Sequence, residues 1–63
     1  MRRFKYPDEE NGEVVYKEIT EDEVLANWRD LHTRMMTEMG RPDEATDKNC
    51  IDFFIMTHLA EDI

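Results

Sequence analysis

An α+β fold is predicted: a single small domain in which an N-terminal β-hairpin is followed by two antiparallel helices, in the order ββαα. Three observations predict it. Strand-type residues on both sides of Asn11-Gly12 flank the favoured centre of a two-residue type I′ turn. Thr20 and Glu23 make a capping box directly before an apolar stripe of helical period. A second apolar stretch follows Pro42 and opens on a Thr46 or Asp47 cap. The expected boundaries are hairpin 2–19, helix 20–40, connection 41–46 and helix 47–61, all within one domain of 63 residues.

The first strand is read from Arg2 to Tyr6, where charged and aromatic side chains alternate. The second is Glu13 to Ile19, rich in β-branched and aromatic types. With Asn11 and Gly12 as the loop, Lys5 faces Glu18 and Phe4 faces Ile19, a favourable charge pair and an apolar pair. Phe4, Tyr6, Val15 and Ile19 then share the face expected to cover the helices. Val14 and Tyr16 fall on the other face, among charges. Two features oppose this register: Glu10 faces Glu13, and Pro7 has no N–H to give a ladder. A longer loop across residues 7–12 is the alternative.

The first helix has a legible start, face and stop. Ile19 and Val24 have the spacing of a hydrophobic staple around the cap. Glu21, Asp22 and Glu23 put negative charge on the positive end of the helix dipole. Val24, Trp28, Leu31, Met35 and Met39 recur at steps of four and three, with Leu25, His32 and Met36 beside them. Gly40 suits a left-handed residue after the last turn, and Pro42 prevents continuation. In the last segment Ile51, Phe54, Ile55 and Leu59 share one helical face, with His58 at its edge. A strand over the run Cys50 to Met56 is the alternative that Phe53, Phe54 and Ile55 leave open. The final Glu61-Asp62-Ile63 is expected to fray.

Sixteen acidic residues against eight basic give a net charge of −8. That opposes direct binding to nucleic acid or to an anionic membrane. No apolar run approaches the roughly 18 residues of a membrane span. One cysteine allows no internal disulfide, which fits a reducing, cytoplasmic setting. A chain this short buries only about 60% of its unfolded surface, so a second copy or a bound partner is an expected source of further burial.

The residues offer little chemistry. Cys50, His32 and His58 are the conventional soft metal ligands, but no C-x-x-C or H-x-x-x-H spacing occurs. Cys50 is read as a small buried hydrophobe rather than a nucleophile. Two glycines leave no phosphate cradle. No cofactor, metal site or enzymatic activity is expected. The candidate partner-binding residues form two groups. Asp8, Glu9, Glu10, Glu13, Glu18, Glu21 and Asp22 are carboxylates that could imitate a phosphate backbone in a nucleic-acid-binding groove. Trp28, Phe53 and Met56 belong to an apolar helical surface larger than one small domain can hide.

Glu-Asn-Gly-Glu at 10–13, Thr-Glu-Asp-Glu-Val-Leu at 20–25 and Asn-Cys-Ile-Asp at 49–52 occur in one order. In that pattern the chain, from about Glu10 to Asp62, resembles a set of very small bacteriophage and prophage proteins. Those relatives carry tryptophan and valine after Asn-Cys-Ile-Asp, where this chain has Phe53, Phe54, Ile55 and Met56. The resemblance implies no activity and no site residues. It implies a small accessory protein in a bacterial host's cytoplasm. The function expected is binding and modulation, as an inhibitor, of a host or phage protein, with nucleic-acid mimicry as the sharper variant. The alternative is a homodimeric structural module with no separate target.

Overall fold

The computed structural model describes residues 1–63. Strand β1 is Arg3–Glu10, β2 is Glu13–Thr20, helix α1 is Glu21–Glu38, α2 is Asp47–His58 and a short β3 is Glu61–Asp62. A single 3₁₀ turn, Pro42–Glu44, bridges the helices. The sheet is antiparallel in the order β2-β1-β3, and the two helices pack on one of its faces.

Asn11 and Gly12 make the hairpin turn with φ of 52° and 80°, the positive values that a type I′ turn requires. The register is the two-residue one: Glu10 faces Glu13, Lys5 faces Glu18 and Phe4 faces Ile19. Both features that opposed it are accommodated. Lys17 Nζ lies 2.7 Å from Glu10 and 2.9 Å from Asp8, so a cation offsets the like-charge pair at the turn. Pro7 occupies a position whose backbone points away from β2, because hydrogen-bonded pairs alternate along an antiparallel ladder starting from the turn-closing pair. That side of β1 is covered by β3 only at Phe4 and Lys5, so Pro7 removes no ladder bond.

At the start of α1 the Thr20 hydroxyl accepts from the Glu23 amide at 3.2 Å, and the Thr20 amide donates to the Glu23 carboxylate at 3.1 Å. At its end Gly40, with φ 75°, donates to Thr37 O, and the Arg41 amide donates to Met36 O at 2.8 Å. These two bonds satisfy the last free carbonyls in a Schellman closure. Helix α2 opens on Thr46, whose hydroxyl accepts from the Asn49 amide at 3.2 Å. It is a helix throughout, which removes the strand alternative.

The chain after α2 departs from the sequence expectation. The helix stops at His58 rather than near residue 61. Leu59 takes a left-handed conformation, φ 55° and ψ 40°, and the Ala60 amide bonds Ile55 O at 3.0 Å. This is again the six-to-one bond of a Schellman closure, here built on leucine instead of glycine. The chain turns back, Ala60 enters the core, and Glu61 and Asp62 pair with Lys5 and Phe4. The Arg2 guanidinium holds the Asp62 carboxylate with two bonds of 3.2 and 3.1 Å, and Ile63 N donates to Arg3 O. The expected fraying at 61–63 is thus replaced by a third strand. Leu59, expected on the apolar face, is 73% exposed, because the reversal swings it outward.

The core is Phe4, Ile19, Val24, Ile51, Phe54 and Ala60, with Tyr6, Leu25, Trp28 and Ile55 packed around it. It sits between the end of the sheet remote from the turn, the first half of α1 and the inner face of α2. Eight of 63 residues are buried, so the interior is a thin layer and the apolar stripes extend beyond it.

Candidate interaction surface

Past Trp28, helix α1 runs clear of the sheet, with α2 and the 3₁₀ turn Pro42–Glu44 beside it. Leu31 and Met39 are 57% and 56% exposed. Between this half of α1 and Phe53 of α2 lies an apolar groove of about 320 Å³, lined by Trp28, Leu31, His32, Arg34, Met35, Glu38 and Phe53. A shallower, more polar recess of about 300 Å³ adjoins it and includes His32, Met36, Phe53 and Met56. His32 and Phe53 belong to both, so the two recesses form one surface between the helices.

His32 is 4% exposed and has no hydrogen-bond partner within the chain. Its ring lies 5.7 Å from the Phe53 ring. Trp28 is fixed from behind by Phe54 and His58, at ring distances of 5.0 and 5.3 Å. His58 stacks on Phe54 at 4.3 Å and meets the edge of Tyr6 at 5.9 Å. These aromatic contacts make the floor rigid, while methionine and leucine supply an adaptable rim.

Of the apolar candidates, the structure brings together Trp28 and Phe53 in the first recess and Phe53 and Met56 in the second. The acidic candidates are divided. Asp8, Glu10 and Glu13 sit near the turn on the helix-facing side, and Glu9 and Glu18 project from the opposite side of the sheet. Glu21 and Asp22 lie in the first turn of α1, at the far end of strands about 26 Å long. Several carboxylates are already partnered. Asp8 and Glu10 share Lys17, Glu18 pairs with Arg3, and Asp47 binds Arg29 through two bonds of 3.0 Å. The bond from Lys17 holds the Asp8 carboxyl below the usual carboxylate range, and the two carboxylates push Lys17 above the usual lysine value.

Cys50 is 2% exposed, and burial pushes its thiol up, away from the thiolate form that a nucleophile needs. His58 Nδ1 lies within hydrogen-bond distance of Thr57 Oγ1 and Phe54 O. No three His, Cys, Asp or Glu side chains converge as a metal set. No helix is long and apolar enough to cross a membrane.

Sequence reasoning missed the role of Leu31, His32, Arg34, Met35 and Glu38 as a surface. Leu31 and Met35 were visible as part of the helical stripe, and their period gave no sign that the cover ends before them. Comparison with protein-family models, curated proteins and solved structures returns no match.

Proposed function

We propose that this is a non-enzymatic accessory protein of the phage type, which binds and modulates a host or phage protein through the apolar surface between α1 and α2. The observation that carries the reading is the 320 Å³ groove, apolar in its lining and rigid in its aromatic floor. Such a surface costs free energy when left in water, and contact with another chain recovers it. Tryptophan, methionine and arginine, present here as Trp28, Met35 and Arg34, are also the residue types enriched at interfaces. The acidic residues then set solubility and electrostatic steering. Their split between two ends and two faces of the sheet favours the apolar surface over a continuous phosphate-like row.

The test is affinity capture from host lysate at low and high salt, with the wild type beside Leu31→Asp and Met56→Asp. Capture that withstands salt and is lost in these variants, with unchanged far-ultraviolet circular dichroism, is the expected result. Capture that disappears with salt and ignores both substitutions would assign binding to the acidic hairpin instead, as a nucleic-acid mimic.

A further inference from the structure

The outer row on α1, exposed at Leu31 and Met39 and half-buried at Met35, has a symmetry of its own. Leu31, Met35 and Met39 follow one another at steps of four, the spacing of a helix ridge. The row is apolar at both ends and centred on Met35. Two copies of such a ridge, crossed antiparallel at Met35, place Leu31 of each copy against Met39 of the other. Ridges of this step pack into each other's grooves at about −50°, the commonest class of helix crossing.

The charges beside the row repeat the pattern. Arg34 is the one arginine that forms no ion pair, although Asp30 and Glu38 stand one turn to either side of it and acids outnumber bases two to one. Glu38 also has neither an ion pair nor a hydrogen bond, and the two remain apart despite an i, i+4 spacing. At 100° per residue, both fall on the same flank of the row, away from the flank that meets Phe53. A two-fold axis perpendicular to the helices maps that flank onto itself. Arg34 of one copy then lies about 3 Å along the axis from Glu38 of the other, within side-chain reach, and the same contact occurs twice. An isologous interface needs one cation and one anion placed so.

We infer that a second copy of this chain covers the outer half of α1, in a two-fold antiparallel crossing centred on Met35 with two Arg34–Glu38 contacts. The inference rests on the reading of this surface as one that binds other protein chains, and it divides that surface: a second copy takes the α1 ridge, and the adjoining recess at Phe53 and Met56 stays open to the target. Each hairpin, and each copy's Met56, stays outside the crossing and free for a target.

The test is sedimentation equilibrium of the purified protein with Arg34→Glu, Glu38→Arg, the double variant and an equimolar mixture of the two single variants. The expected wild-type mass is twice 7.6 kDa at micromolar concentration. Each single reversal sets like charges against each other at both contacts and weakens association about tenfold or more. The double variant restores opposite charges and dimerises as the wild type does. In the mixture each contact pairs opposite charges, so a heterodimer forms where neither variant self-associates. A wild type that stays monomeric at high micromolar concentration overturns the dimer, as do reversals without effect or a mixture that fails to associate. Those results leave the docking surface itself to the lysate capture, whose Leu31→Asp and Met56→Asp arms fail or succeed separately.

Discussion

Val24 and Leu31 stand two turns apart on the same apolar stripe of α1. Val24 is fully buried and Leu31 is 57% exposed. The first half of the helix lies against Phe4, Ile19, Ile51 and Phe54. The second half extends past the sheet, beside a shorter α2 that covers one flank only. Period alone says which residues share a face; it does not say how far along the helix the cover reaches. In the buried half apolar residues hold the chain together, and in the exposed half the same residue types are available to another chain.

Substitutions sharpen the contrast. The largest effect belongs to the buried half. Phe54 is 1% exposed and its ring meets Phe4, Tyr6, Trp28 and His58. Phe54→Ala is expected to cost about 3–5 kcal/mol, enough to unfold much of a domain this small, as read by urea denaturation. Thr20→Ala removes the hydroxyl that accepts from the Glu23 amide and is expected to cost about 1 kcal/mol, seen as a lower melting temperature. Leu59→Gly should move the opposite way. It relieves a leucine held at φ 55° and is expected to raise stability by about 1 kcal/mol. In the exposed half, Leu31→Ser should change the stability of the isolated chain by less than about 0.5 kcal/mol. A loss above about 2 kcal/mol there would place Leu31 in the core and break the contrast.

The hairpin supplies the smallest effect, and a pH-dependent one. Asp8 has a lowered folded pKa, so its contribution is complete above the ordinary carboxylate value, about 3.9. It is lost as pH falls through the lower folded value. Lys17 has a raised pKa, so its contribution is complete below the ordinary lysine value, about 10.4, and fades only as pH rises through the higher folded one. Melting temperature should therefore hold across the neutral range and drop in acid. Lys17→Gln should soften the acid limb, and an unchanged limb would show that the exposed pair contributes nothing.

Most of the fold was legible because local signals agreed with one another. Asn11-Gly12 set the turn, and Thr20 with Glu23 set the start of α1. Gly40 marked the end of that helix, since glycine reaches positive φ without strain. The equivalent closure after α2 was not legible, because leucine rarely takes the left-handed conformation. What holds it in place is the Arg2–Asp62 contact, the pairing of β3 with β1 and Ala60 in the core, all of which join residues at opposite ends of the chain. The site was half legible. Trp28, Phe53 and Met56, singled out in the sequence, line the two recesses between the helices, but Arg34 and Glu38 look like ordinary solvated charges until their lack of ion pairs is seen in space. The acidic residues, adjacent in sequence, are parted by the alternation of strand faces and the length of the hairpin.

Placing a cysteine at the centre of the proposed crossing tests the account most directly. Met35→Cys should give a covalent dimer under mild oxidation, because two-fold related residues at the crossing point approach within the roughly 7 Å that a disulfide spans. Thr33→Cys, on the opposite face of α1, is the control and should remain monomeric. Native Cys50 is buried and should not react in either. A covalent dimer from Met35→Cys alone is the result predicted. Equal crosslinking of both variants, or of neither, would contradict the claim that the outer half of α1 is closed by a second copy.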